Sequence, residues 1–106
     1  MKIYLPHLTY TVHVKECGKA PKETPWADAW CTSDESSNEC TMFLNTSRPL
    51  DVALLAHEVL HVCQFIARRR NIIINDELES MGYIMQYIMH RICQEYRIRK
   101  PKHKID

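Results

Sequence analysis

The chain has 106 residues, of which 45% are hydrophobic and 25% charged, and its formal net charge is +1. This composition is typical of a globular protein, and the length suits a single domain spanning residues 1–106. A net charge this close to zero gives no general attraction toward nucleic acid or membrane surfaces, so we expect neither as a partner. The N-terminus lacks the form of a signal peptide, and no apolar stretch is long enough to cross a bilayer, so a cytoplasmic protein is expected.

The five cysteines do not include a Cys-x-x-Cys pair. An odd number without that spacing argues against a disulfide framework and against a zinc site built from cysteines. We expect mostly reduced thiols, including Cys31 and Cys40, which the predicted strands bring near each other.

The first half of the chain predicts a small antiparallel sheet of about three strands. Residues 2–17 are rich in β-branched and aromatic side chains that alternate with polar ones, which is typical of a half-buried strand. Pro6 confines regular pairing to the residues after it, or places this strand at an edge. Residues 26–32 and 40–46 predict two further strands, joined through the polar residues 33–39 as a hairpin.

A long helix is predicted next. Ser47 or Thr46 is its expected N-cap, Pro49 lies in its first turn, and it runs to about Arg70. The three arginines at its end interact favourably with the negative end of the helix dipole. We interpret them as capping residues rather than as a nucleic-acid contact.

A second helix follows a short, isoleucine-rich connector. Asn75 or Asp76 is its expected N-cap, it runs to about Arg97, and its apolar residues recur at helical spacing. A flexible tail is expected from about residue 98, with Pro101 stopping the helix. The predicted fold class is therefore α+β, a small sheet followed by two long helices.

The first predicted helix carries the pattern His57-Glu58-Val59-Leu60-His61. Residues four apart lie on one helical face about one turn apart, so the two imidazoles can bind one metal ion. The pattern His-Glu-x-x-His on a helix is the signature of zinc metalloproteases, in which the glutamate is the general base.

Two histidines leave the metal site incomplete, because a catalytic zinc usually has three protein ligands and one open position. The downstream candidates for a third ligand are Glu77, Glu79 and His90. We favour Glu79, because it lies near the start of the second helix on a stripe that also carries Tyr83 and His90. Glu77 lies about 160° further round that helix.

The segments Leu55-Ala-His-Glu-Val-Leu-His-Val62 and Asp76-Glu-Leu-Glu-Ser-Met-Gly-Tyr83 resemble the gluzincin branch of zinc metallopeptidases, in particular the minimal single-domain members of bacteria and their phages. Metzincins are disfavoured, because the residues after the motif lack their glycine and third histidine. The resemblance implies a zincin-like fold with an active-site helix and a glutamate helix, and Zn2+ as cofactor. The implied metal ligands are His57, His61 and Glu79.

By this resemblance the protein is a hydrolase that cuts protein or peptide substrates. Glu58 would take the proton of the zinc-bound water and pass it to the leaving amine. Tyr83 and His90 are candidates to donate to the oxyanion or to support a ligand. The substrate is expected to lie as an extended strand beside residues 40–45 or 26–32.

A second function class fits the same residues. A zincin-fold protein without turnover would bind or regulate a partner, as a phage-encoded host-modulating or anti-defence factor does in the host cytoplasm. The intact Glu58 favours the peptidase. The small size favours the protein without turnover, because little chain is left to build specificity pockets.

Overall fold

The computed structural model describes residues 1–17, 29–34, 36–47, 49–74 and 76–99. Within these residues the predicted α+β class is confirmed, since a four-stranded sheet is followed by two helices. Neither of these helices combines the length and the apolar character that crossing a bilayer requires.

The sheet has one strand more than predicted. Its strands are β1 (Lys2–Leu5), β2 (Tyr10–Glu16), β3 (Ala29–Ser33) and β4 (Glu39–Leu44). The expectation of about three strands is wrong because residues 2–17 form two strands. Pro6 has a fixed φ and no N–H to donate, so it ends β1 and starts a 3-10 turn, Pro6–Leu8. Thr9 closes that turn at a φ of 47°, and β2 returns antiparallel to β1.

The sheet is mixed, which corrects the expectation of a wholly antiparallel one. Its strand order is β1-β2-β4-β3, with β3 and β4 forming the predicted hairpin and β2 running parallel to β4. A peptide therefore cannot add beside residues 40–45, because β4 already has a neighbour on each side. The other expected place, residues 26–32, is described from Ala29 onward and forms the edge strand β3. Residues 26–28 lie outside the described residues.

One face of the sheet builds the hydrophobic core. Alternate residues of β2 and β4 are buried, as the two-residue period of a strand requires. These strand residues are Tyr10, Val12, Val14, Cys40, Met42 and Leu44. The helices cover this face with further buried side chains, among them Leu55, Val59, Val62, Ile66, Ile88 and Ile92. Each such aliphatic side chain contributes about 1.5–3 kcal/mol by leaving water.

Helix α1 spans Val52–Arg70 and begins later than predicted. Its N-cap is Asp51, whose carboxylate accepts a hydrogen bond from the backbone N–H of Ala53 at 2.9 Å. The expected caps, Ser47 and Thr46, lie before the helix. Asp51 suits the position because its charge also lies at the positive end of the helix dipole.

Helix α2 spans Leu78–Glu95, and its N-cap is Glu77. Asp76, one of the two expected caps, lies one residue too early, and the other, Asn75, lies outside the described residues. The backbone N–H of Glu77 bonds to the carbonyls of Ile73 and Ile74 at 3.1 Å, so a turn of the connector leads directly into the helix.

The residues after α2 are paired with the segment before α1. The N–H of Leu50 donates to the carbonyl of Arg97 at 2.8 Å, and the N–H of Arg99 donates to the carbonyl of Leu50 at 2.6 Å. Residues 97–99, near the start of the tail that we expect to be flexible, thus lie beside Leu50. Residues 100–106 lie outside the described part of the chain.

Replacing Asp51 by alanine is expected to lower the free energy of unfolding by about 1 kcal/mol, because the first turn of α1 loses its cap. Asp51→Asn keeps an oxygen acceptor and should cost much less, although it loses the exposed ion pair with Arg99. Urea denaturation followed by circular dichroism measures both changes. If Ser47→Ala costs as much as Asp51→Ala, the helix begins earlier than the structure has it.

Candidate metal centre

His57 and His61 lie one turn apart on α1, outside the buried side of the helix. Their Nε2 atoms are 3.2 Å apart, and their rings meet edge to face. Two nitrogens that bind one tetrahedral zinc at about 2.0–2.1 Å lie about 3.3 Å from each other. Two lone pairs at such a distance repel unless a cation or a proton lies between them. The spacing of the two nitrogens therefore fits a shared metal ion.

Gln64 orients the second histidine. The Nδ1 atom of His61 lies 3.2 Å from Oε1 of Gln64. An amide oxygen only accepts hydrogen bonds, so this contact supports the tautomer with its proton on Nδ1 and its lone pair on Nε2. The sequence reasoning missed Gln64. Gln64 could have been found from the sequence, because it lies three residues after His61 on the same face of the helix.

Glu58 is the buried charged residue beside this pair, with 8% of its surface exposed. Donor atoms of His57, Glu58 and His61 all lie within 4.8 Å of one another. Among the described residues, these three form the one group of three or more histidine, cysteine or acidic side chains close enough to hold a metal ion. An enclosed carboxylate next to two nitrogen donors is suited to proton transfer at such a site.

Strand β3 runs beside this part of α1. The thiol of Cys31 donates to the backbone carbonyl of Glu58 at 3.5 Å. Burial raises the pKa of Cys31, and the charge of Glu58 and a hydrogen bond to its side chain raise the pKa further, so the thiol stays protonated. An edge strand therefore lies directly beside the group formed by His57, Glu58 and His61.

The predicted stripe of α2 faces solvent, and it consists of Glu79, Tyr83, Gln86 and His90. The buried face of α2 lies on the opposite side and consists of Met81, Ile88 and Ile92. Tyr83 is 67% exposed. The structure does not bring Glu79, Glu77 or His90 into the group formed by the two histidines and Glu58. The roles of Glu79 as third ligand and of Tyr83 near the reaction stay predictions.

Comparisons of the chain with protein-family models, with curated proteins and with solved structures found no match. The resemblance to gluzincins therefore rests on the residues of the two segments themselves. The geometry around His57, Glu58 and His61 is the independent observation that bears on function.

Replacing Gln64 by alanine is expected to weaken zinc binding by about 10- to 100-fold, because His61 loses the partner that holds its ring and tautomer. Competition with a chromophoric chelator at pH 7 measures the affinity. Gln86→Ala, at an exposed position of α2, is the matched control and should bind zinc as the unmodified protein does. Equal affinities for all three proteins would show that His61 is oriented without Gln64.

Proposed function

We propose that this protein is a zinc-dependent metallopeptidase in which His57 and His61 bind the metal and Glu58 is the general base. The observation that carries the proposal is the 3.2 Å separation of the two Nε2 atoms, next to a buried carboxylate. Imidazole and carboxylate are ligands that zinc accepts. The resemblance to gluzincins adds Glu79 as the proposed third ligand and a zincin-like assignment for the fold.

The chemistry divides between the metal and the protein. A bound zinc ion would polarise the substrate carbonyl and lower the pKa of a coordinated water toward about 7. Glu58 would accept a proton from the attacking water and donate it to the leaving amine. Gln64 would keep His61 in its ligand tautomer, and Cys31 would hold the turn of α1 that carries Glu58.

The proposed substrate is an extended segment of a protein or peptide. Strand β3 is an edge strand beside Glu58, and edge strands bind extended peptides through main-chain hydrogen bonds. A peptide added beside β3 would bring its own backbone carbonyls next to the metal-binding group. The proposed place of action is the cytoplasm, as the sequence leads us to expect.

A second candidate is a zincin-fold binding or regulatory protein without turnover, such as a phage-encoded host-modulating or anti-defence factor. The observation that favours it is the exposure of large apolar side chains on both helices. These side chains are Leu60, Leu78, Tyr83 and Tyr87. Exposed aromatic and aliphatic side chains are typical anchors of protein interfaces.

Protein purified without added metal is expected to contain about one zinc per chain, and His61→Ala should remove it. The same variant should melt at a lower temperature, because a ligand at 100 times its dissociation constant adds about 2.7 kcal/mol to stability. Elemental analysis and calorimetry measure the two effects. His7→Ala, which alters an exposed histidine outside α1, is the control and should keep both zinc and melting temperature. Unmodified protein free of zinc would remove the metal from the proposal.

Glu58→Gln is expected to keep zinc and to lower the rate of peptide cleavage by at least about 100-fold, because the amide cannot accept the proton. Mass spectrometry of random peptide pools measures cleavage, and elemental analysis measures the metal. Loss of zinc from Glu58→Gln would instead make Glu58 a ligand. A zinc-loaded, unmodified protein that cleaves none of the pools would favour the binding protein.

A further inference from the structure

The two histidines of α1 supply only part of the ligand set that a zinc ion requires. The described residues bring together the ligand atoms of His57, Glu58 and His61, and the structure does not bring the proposed ligand Glu79 to them. Glu58 is assigned to proton transfer in the proposed function. Zinc is almost always bound by four ligands at the corners of a tetrahedron. Two corners beside the histidine nitrogens are therefore open to groups from outside the chain.

The spacing of the two nitrogens matches one edge of such a tetrahedron. The Nε2 atoms of His57 and His61 are 3.2 Å apart, and His57 is exposed. A two-fold axis of a tetrahedron passes through the midpoints of two opposite edges. A second copy of the chain, related by this axis, would supply the opposite edge with the same two nitrogens. Two-fold symmetry, the commonest symmetry of homo-oligomers, thus suits this pair of ligands.

The helix surface around the histidines carries no charge that a second copy would have to bury. Within residues 52–64 of α1 the one charged side chain is that of Glu58, which is 8% exposed. Leu60, three residues after His57, is 48% exposed, and Ala53, one turn before it, has a small side chain. Charged residues are depleted at the centre of protein interfaces. The net charge of +1 also gives little repulsion between two copies.

We propose that two copies of this chain share one zinc ion when zinc is scarce, through His57 and His61 of each copy. Four imidazoles leave no corner for a water or a substrate carbonyl, so this dimer is an inactive form of the proposed peptidase. When zinc is abundant, each copy binds its own ion and the dimer dissociates by mass action. The inference rests on the metal-binding part of the proposed function and adds its regulation by the zinc supply.

The dimer depends on the metal. Opposite edges of a tetrahedron are perpendicular, and two residues four apart are displaced along the helix axis, so the two α1 helices would cross steeply. Their contact is then confined to about two turns of each helix, with Leu60 and Ala53 beside the ion. Such a contact is smaller than the roughly 1,200 Å² that specific, stable interfaces bury. We therefore expect the protein without zinc to be a monomer.

The test titrates zinc-free protein with zinc at pH 7 and measures the molecular mass by size-exclusion chromatography with light scattering. We expect a monomer without zinc, mostly dimer at one zinc per two chains, and a return toward monomer at several zinc ions per chain. Elemental analysis of the isolated dimer should give half a zinc per chain, and X-ray absorption should show about four nitrogen ligands. A monomer at every ratio, or a dimer that forms without zinc, overturns the shared ion.

Matched variants separate the helix contact from metal binding. Leu60→Arg brings like charges together across the two-fold axis and should weaken dimerisation by at least about tenfold, while one zinc per chain still binds at excess zinc. Leu78→Arg alters an exposed leucine of α2 and should dimerise as the unmodified protein does. His61→Ala should be a monomer at every ratio, and the control His7→Ala should dimerise normally. Equal dimerisation of the two arginine variants would overturn the contact through α1.

The same measurements separate this proposal from the peptidase function. A chain that binds one zinc at saturation but stays monomeric at every ratio overturns the shared ion and leaves the metal assignment in place. A dimer with half a zinc per chain supports the shared ion even if no sample cleaves peptides, a result that counts against the peptidase alone. Where peptides are cleaved, equal rates per zinc for the dimer and for the zinc-saturated monomer overturn the inactive form.

Discussion

Helix α1 buries one side in the core and carries the two histidines outside that side. Val59, Val62 and Ile66 are fully buried on the first side. The 3.2 Å spacing of the Nε2 atoms of His57 and His61 depends on four residues of regular helix between them. Because the same turns carry the core residues and the two histidines, a change that loosens the packing of α1 also moves the histidines.

The edge strand of the sheet lies against this helix. Strand β3 lies beside α1 with Cys31 against Glu58, and it leads to a cavity lined by Arg68 and Arg69. The group formed by His57, Glu58 and His61 therefore lies beside the edge strand. In the proposed peptidase, the strand would supply backbone contacts to the substrate and the helix would supply the catalytic residues.

The arginines at the end of α1 show how one sequence feature takes on several roles. As residues of the last helical turn they suit the negative end of the dipole. In the structure, Arg70 also donates to the carbonyl of Thr9 at 3.0 Å, which ties the helix to the turn after β1. Arg69 bonds to Asn38 in the β3–β4 loop, and with Arg68 it lines the cavity. The pairing of Arg69 with Asn38 spans 31 positions of the chain, and that of Arg70 with Thr9 spans 61. Pairings between such distant residues leave no local pattern in a sequence.

The sequence by itself determined those features of the fold that depend on residues close together in the chain. Two histidines four residues apart share a helical face, and polar residues between two β-prone segments turn a hairpin, so the motif helix and the β3–β4 pair are readable without a structure. Tertiary packing decided the rest, because it balances contacts between distant segments. It placed β2 parallel to β4, left β3 as the edge strand beside Glu58, and turned the buried face of α2 so that Glu79 lies toward solvent.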